Sequence, residues 1–323
     1  MTQVHERPGL VAADSPQPTI SSVLPLLALG TALVLWASAF VVIAHVGNEF
    51  SPGALALGRT AVASVALGIG FAVRRQTWRR PGRGDLIRIA VIGALWFATY
   101  NIALTAGQQR VDAGTAAMLI QVSPLLVTLM ATSILGERSS FRTWVGLLVA
   151  FAGVSMISLA SPGDERDLIG VALCLLAAAA SAVGVILHKP LLSRSSGLQV
   201  TWLACVAGTI VCLPYAGALT NDLASATGRD AALVVYLGVF PTAIAFSLYA
   251  YALSHMSASG IAASTFMVPP LTIAMAWFVL DESPAVVVVL GGALCLVGVG
   301  LSRRGPKAPD HPAPSPAVCG GTT

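Results

Sequence analysis

Fifty consecutive residues, 231–280, contain no Asp, Glu, Lys or Arg. A helix crosses the apolar core of a bilayer with about 20 apolar residues. Fifty residues are therefore too many for one membrane helix and enough for two. The small, polar segment SHMSASG, residues 254–260, is the predicted break between these two helices.

The rest of the chain is also rich in apolar residues and poor in charged ones. Hydrophobic residues make up 56% of the 323 positions and charged residues 10%, with a mean hydropathy of +0.81, whereas soluble domains carry about 25% charged residues. Backbone groups in lipid need internal partners, and the alternating polarity of a barrel is absent, so we predict an all-α integral membrane protein. Apolar runs predict ten transmembrane helices, at roughly 24–45, 50–73, 89–109, 113–136, 143–163, 168–188, 195–221, 232–253, 258–280 and 284–302.

Two segments of the chain nearly repeat each other. PLLVTLMATSILGER, residues 124–138, and PPLTIAMAWFVLDES, residues 269–283, agree at six of fifteen positions and lie 145 residues apart. The same shift lays the first predicted span on the sixth, the second on the seventh, and so on to the tenth. Five is an odd number, so the second copy enters the membrane from the opposite side, which predicts two inverted five-helix repeats.

The predicted organisation places the first repeat at 23–160, a linker at 161–167 and the second repeat at 168–302. The flanking segments 1–22 and 303–323 are polar or rich in Pro and Gly, and are predicted to be disordered cytoplasmic tails. With both termini in the cytoplasm, fourteen Lys and Arg residues fall on the cytoplasmic side and three on the other side. The positive-inside rule therefore favours a multi-pass protein of the cytoplasmic (inner) membrane in that orientation.

The segments 36–63, WASAFVVIAHVGNEFSPGALALGRTAVA, and 111–137, VDAGTAAMLIQVSPLLVTLMATSILGE, carry a resemblance to a known family. With MVPPLTIAMAWFVLDE at 267–282, they resemble the EamA domain of the drug/metabolite transporter superfamily, in two copies that cover about residues 24–302. The resemblance implies a ten-helix carrier with a substrate cavity between its halves. It also implies export of amino acids, related metabolites or toxic compounds.

Three residues stand out as candidates for a binding site. Pro124 and Pro269 interrupt equivalent helices, which in repeat transporters points to the binding site, although a packing kink is the alternative. Arg59 is a charge within a predicted span, where it is costly. It either faces the cavity and holds a carboxylate or phosphate, or it reaches outward to the interface or pairs with Glu49.

Aromatic, amide and hydroxyl side chains within the spans would suit a small amphipathic ligand. The further cavity candidates are Trp36, Tyr100, Asn101, Gln121, Ser181, Tyr249 and Thr265. Glu137 and Glu282 end two equivalent spans, and we expect each to cap the first amides of the next helix. His45, His188 and His255 fall at span ends, where interfacial anchoring and a proton relay are both open.

The sequence disfavours several other functions. It contains no GxSxG, HExxH or phosphate-binding glycine loop, which argues against an enzyme. We predict no catalytic residues, no metal site, no cofactor and no nucleic-acid partner. The prediction is a secondary transporter that works by alternating access and exports amino-acid-like or small amphipathic metabolites. A multidrug efflux carrier and a channel are the alternatives, and glycines in the fifth and tenth spans leave a homodimer face open.

Overall fold

The structure, a computed structural model, describes residues 20–47, 49–74, 78–111, 116, 119–159, 167–280 and 286–303. Over these residues the chain is helical and contains no strand. We number its helices α1 (Ile20–Val46), α2 (Pro52–Val73), α3 (Arg83–Gln108), α4 (Val122–Ile134), α5 (Phe141–Leu159), α6 (Leu168–Leu191), α7 (Gly197–Ser225), α8 (Gly228–His255), α9 (Ala258–Thr265), α10 (Val268–Leu280) and α11 (Val286–Arg303).

Most of these helices are long and apolar enough to cross a bilayer. Within the described ranges seven segments meet that standard, in α1, α2, α3, α6, α7, α8 and the run Ala258–Met275, and three shorter apolar helices accompany them. The protein is therefore a multi-pass membrane protein. The predicted break in the uncharged run is confirmed, because α8 ends at His255 and α9 begins at Ala258.

The two candidate prolines lie at the beginnings of helices. Pro124 is the third residue of α4, and Pro269 is the second residue of α10. Proline is tolerated in a first helical turn, where its missing N–H would have no partner in any case. The chain turns just before each of them, at Gln121 and at 266–267, so each proline restarts a helix and does not kink its middle.

Two helices contain a π-helical segment. In α3 it spans Gly93–Thr99 and in α8 it spans Gly238–Ile244, which is an offset of 145 residues. The glycine at the start of each segment permits a close helix contact. A Cβ at Gly93 would lie 2.5 Å from the carbonyl oxygen of Ala204, and one at Gly238 would lie 2.9 Å from that of Arg59. Residues 59 and 204 are also 145 apart, so the same contact occurs twice.

Helices α5 and α11 pack closely through glycines. A Cβ at Gly146 would lie 2.5 Å from the carbonyl oxygen of Gly298, and one at Gly153 would lie 2.6 Å from that of Gly291. The 145-residue shift exchanges these two contacts. Four of the glycines that left a homodimer face open in the sequence, Gly146, Gly153, Gly291 and Gly298, are thus engaged within one chain.

The end of the bundle at which α1 begins and α11 ends is called here the terminal end. At this end Glu137 accepts hydrogen bonds from the backbone N–H groups of Ala258 (2.8 Å) and Ser259 (3.1 Å). Glu137 therefore caps α9 and not α5, the next helix in the chain, for which the capping role was predicted. Lys189 donates from Nζ to the carbonyl oxygens of Leu253 (2.5 Å) and Met256 near the end of α8. Glu137, Lys189 and the α8–α9 corner are called here the terminal gate.

Candidate functional site

A cavity lies between the two halves of the bundle. About 870 Å³ of empty space lies within the cavity and its open mouth together. It reaches Ile43 on α1 and Leu104 on α3, close to the end opposite the terminal end. Its remaining walls come from α2, α4, α6, α8, α9 and the first residue of α10.

Arg59 on α2 supplies the cavity's positive charge. The residue is 6% exposed, and its Nε and Nη2 donate to Thr242 Oγ1 at 3.2 and 3.1 Å. A guanidinium has five N–H groups, so three are left for other partners. No carboxylate among the described residues pairs with it, and the alternative pairing with Glu49 is not formed.

Arg59 is held in place through the π-helical segment of α8. Thr242, which accepts from Arg59, itself donates to the carbonyl oxygen of Leu237 at 2.7 Å, five residues earlier. The indole Nε1 of Trp36 donates to the carbonyl oxygen of Pro241 at 3.1 Å. Side chains thus use backbone and hydroxyl groups of a segment whose hydrogen bonding departs from that of an α-helix.

Aromatic side chains form one wall of the cavity. The ring centroid of Trp36 lies 5.3 Å from that of Phe246 and 5.1 Å from that of Tyr249. Trp96 extends the group, with its ring 5.0 Å from Phe246. These spacings are those of interacting aromatic pairs, so the wall is a packed unit.

Neutral polar groups form a second wall. Gln121 donates from Nε2 to the carbonyl oxygen of Thr265 at 3.3 Å, and the hydroxyls of Ser123 and Ser181 are 2.7 Å apart. The Oε1 atom of Gln121 accepts no hydrogen bond from the described residues. The wall therefore presents oxygen acceptors that a donor group of a ligand could use.

The structure separates the predicted site residues into three groups. Those that line the cavity are Trp36, Arg59, Tyr100, Gln121, Pro124, Ser181, Tyr249 and Thr265. Asn101 does not line it, and its Nδ2 donates to the carbonyl oxygen of Phe97 in the π-helical segment at 2.7 Å. Pro269 does not line it either, although its neighbour Val268 does. Glu282 lies outside the described residues.

Sequence reasoning missed several residues of the site, and the repeat could have found some of them. Positions that line the cavity in both copies, 145 residues apart, are Trp36 and Ser181, Phe40 and Val185, Leu104 and Tyr249, Ile120 and Thr265, and Ser123 and Val268. Applying the shift to the predicted residues Thr265 and Tyr249 gives Ile120 and Leu104. No pattern in the sequence pointed to Thr242 as the partner of Arg59.

The described part of the chain has no cluster of three or more His, Cys, Asp or Glu side chains that could hold a metal ion. The fold and the cavity define a polytopic membrane protein with an internal cavity between its halves, an arrangement found in membrane transporters. Comparison with known proteins identifies the family. The chain belongs to the EamA-like transporter family, whose model matches residues 23–159 and 168–304. It is a transporter of the drug/metabolite transporter superfamily and contains two copies of the EamA domain.

Curated relatives and a solved structure extend the match. A protein of Streptantibioticus cattleyicolor named "Probable terminal-alkyne amino-acid exporter" is 38% identical over 277 residues, covering 86% of this chain and 92% of that protein. The "Uncharacterized transporter YdfC" of Bacillus subtilis is 29% identical, covering 82% and 86%. A crystal structure with 18% sequence identity aligns with a TM-score of 0.74, covering 87% of this chain and 98% of that chain, which shows a shared fold.

Proposed function

We propose that this transporter is a secondary, ATP-independent carrier that exports small amphipathic metabolites bearing a carboxylate, amino acids and their analogues foremost. The observation that carries the proposal is Arg59, a buried guanidinium at the cavity wall with three N–H groups free and no carboxylate partner among the described residues. The relative named as an amino-acid exporter supports the same substrate class for this chain.

The charge of Arg59 explains why a carboxylate is the preferred ligand group. A buried charge without a partner is costly, and it persists in proteins where a ligand or another group compensates it. Guanidinium and carboxylate match in a two-bond geometry that gives strong hydrogen bonds. The same charge repels cations, which disfavours the alternative of a carrier for cationic drugs.

The two remaining walls fit the rest of such a ligand. The aromatic wall of Trp36, Trp96, Phe246 and Tyr249 offers an apolar surface for the ligand's body. The neutral wall around Gln121 offers oxygen acceptors for an ammonium or another donor group.

The proposal includes an inverted repeat of ten helices, with copies at 23–160 and 168–302. The paired contacts at Gly93 and Gly238, and those between α5 and α11, support a two-fold relation between the copies. Such a relation provides two equivalent closures, one at each end of the cavity, which is the basis of alternating access. The excess of Lys and Arg at the terminal end supports a location in the inner membrane with both termini in the cytoplasm.

The proposed function is tested by measuring substrate flux into proteoliposomes that contain the purified full-length protein. The panel includes neutral amino acids, the matched amino-acid amides that lack the carboxylate, and a cationic drug. We expect saturable flux of the amino acids and at least tenfold weaker flux of the amides, because the amides cannot pair with Arg59. Saturable flux of the drug alone would instead establish the efflux alternative, and flux that never saturates would establish a channel.

Arg59→Gln tests the assigned contact directly. Charged hydrogen bonds are worth about 1.5–3 kcal/mol, which corresponds to roughly a 10- to 150-fold loss of apparent affinity for the carboxylate substrate. Arg229→Gln is the matched control, because Arg229 is exposed and outside the cavity. Unchanged affinity in folded Arg59→Gln protein would refute the role of Arg59.

A further inference from the structure

A histidine lies just beyond the cavity, on its terminal side. His188 follows Val185, which lines the cavity, by three residues on α6, and Ser181, Val185 and His188 share one face of this helix. Three residues of helix rise correspond to about 4.5 Å. The imidazole therefore lies between the cavity and the terminal gate, next to Lys189 in the chain.

The imidazole is sealed from water in this state of the protein. His188 is 1% exposed, and neither ring nitrogen has a hydrogen-bond partner among the described residues. Its ring meets the edge of Trp96, with centroids 6.0 Å apart. Trp96 packs directly on α6, because a Cβ at Gly184 would lie 2.8 Å from the Cβ of Trp96. Trp96 thus separates the histidine from the cavity.

No charged group compensates the ring. The helices packed against α6 are α3, α4, α8 and α9. On the terminal side of the cavity, α3 carries Arg83, Asp85 and Arg88, and α8 carries Tyr249, Tyr251 and His255. Glu137 follows α4, and Lys189 is the neighbour of His188 on α6. Lys189 is directed to the end of α8, Glu137 to the start of α9, and His255 to Tyr251 and Ser254. None of them forms an ion pair or hydrogen bond with His188 among the described contacts.

A buried imidazole without a partner is stable in one protonation state. The neutral ring loses two hydrogen bonds to water, whereas the protonated ring would be an isolated cation away from water, which is far more costly. If the terminal gate opens, water from that end reaches His188, and the imidazole can then take up a proton as histidine does in water near neutral pH.

From this geometry we infer that His188 is a proton-binding site of the transporter, empty while the terminal gate is closed and filled when the gate opens. The inference rests on the proposed function, because it assumes a carrier with two alternating states. Protonation of His188 then holds the carrier open at the terminal end, and release of the proton must precede closure. Acidity on the terminal side therefore controls how long the cavity faces that side.

The size of the effect follows from linkage. When only the open state binds the proton, the ratio of open to closed molecules is multiplied by 1 + 10^(6.5 − pH), with about 6.5 as the value for imidazole in water. This factor is about 1.1 at pH 7.5 and about 11 at pH 5.5. Lowering the pH over this interval is expected to raise the open fraction about tenfold while that fraction is small.

The reporter is a cysteine in the gate of the purified full-length protein in lipid nanodiscs. Leu253 is fully buried and its carbonyl oxygen accepts from Lys189, so Leu253→Cys reacts with a soluble maleimide when the gate opens. The rate at each pH is divided by that of Ser193→Cys, an exposed position in the loop after α6, to correct for thiol ionisation. Peptide mass spectrometry reads the labelled cysteine separately from the native ones.

We expect the corrected rate to rise about tenfold between pH 7.5 and 5.5. His188→Gln and His188→Leu, which cannot be charged, are expected to abolish the rise. The matched control is His255→Gln, which removes an exposed histidine at the same end and is expected to retain the rise. A flat profile in the protein with native His188 would overturn the inference, as would a tenfold rise that survives in either His188 variant.

The outcome is independent of the substrate. Gate labelling that responds to pH, together with an absence of amino-acid flux, would support the proton site and refute the proposed substrate. Saturable, Arg59-dependent flux together with a flat labelling profile would support the carrier and refute the proton site.

Discussion

The close packing of α5 against α11 predicts opposite effects for two glycine-to-alanine substitutions. Gly146 lies at the contact, and a Cβ there would be 2.5 Å from both the carbonyl oxygen of Gly298 and the backbone nitrogen of Ser302. Gly300, on α11, has no atom within 4 Å of an added Cβ. Both residues are within helices of the same pair, so the difference between them isolates the contact.

The magnitude follows from the distances. Ordinary contact begins near 3.4 Å, so the two backbones would have to separate by about 0.9 Å to accept an alanine at Gly146. The partners are backbone atoms and cannot rotate away, and overpacking of this kind costs about 1–3 kcal/mol. Alanine's higher helix propensity returns about 1 kcal/mol, which leaves Gly146→Ala destabilised by about 0–2 kcal/mol. Gly300→Ala keeps the propensity gain and is expected to be more stable by about 0.5–1 kcal/mol.

Thermal unfolding in mild detergent, followed by circular dichroism, measures both variants against the parent protein. We expect a lower midpoint for Gly146→Ala and an equal or higher one for Gly300→Ala. The 145-residue relation adds a further requirement, because a Cβ at Gly153 would lie 2.6 Å from the carbonyl oxygen of Gly291. Gly153→Ala must therefore behave like Gly146→Ala. If Gly146→Ala proved at least as stable as Gly300→Ala, the close contact between α5 and α11 would be refuted.

Two further substitutions test the site and the end opposite the termini. Thr242→Val removes the hydroxyl oxygen that accepts two hydrogen bonds from Arg59. We expect about a tenfold weaker apparent affinity for the carboxylate substrate in flux assays. The control is Thr60→Val, which removes a hydroxyl bonded within α2 and should leave that affinity unchanged. Asp167 caps α6, and the bond from the backbone N–H of Ile169, aided by Arg110, lowers its pKa. Its stabilising effect is therefore present above about pH 4 and is lost as pH falls through the lower, folded pKa, so the difference in melting temperature between Asp167→Asn and the parent should shrink below about pH 4.

The sequence predicted the helical class, the break near 254–260 and the duplicated segments because each follows from local composition or from similarity along the chain. It predicted much of the cavity because polar and aromatic residues inside apolar spans are few. Asn101 shows the limit of that reasoning. A buried amide needs a partner, and the prediction supplied a ligand for it. In the structure only Nδ2 of Asn101 has a partner, the carbonyl oxygen of Phe97 in a π-helical segment that no sequence pattern predicted, and its buried Oδ1 has none among the described residues.

Contacts between segments that are distant in the chain could not be predicted from the sequence for a related reason. The capping of α9 by Glu137 joins residues more than 120 positions apart, and the Arg59–Thr242 bond joins residues 183 apart. Local rules for capping consider the adjacent helix, which is why α5 was expected to be the partner of Glu137. The repeat is the exception, since the shift of 145 residues predicts long-range relations without any knowledge of packing.

Some features of the structure recur in both copies, and others occur in only one. Glycine contacts and π-helical segments recur in both copies, and in the proposed carrier they form the frame of the two halves. Three groups to which a charge or proton role is assigned, Arg59, His188 and Lys189, do not recur. Ala204 is the counterpart of Arg59, Ile43 of His188 and Ala44 of Lys189. In the proposed carrier, a symmetric frame gives two closures of similar energy, so we expect these three unmatched residues, and what binds to them, to decide which closure is favoured.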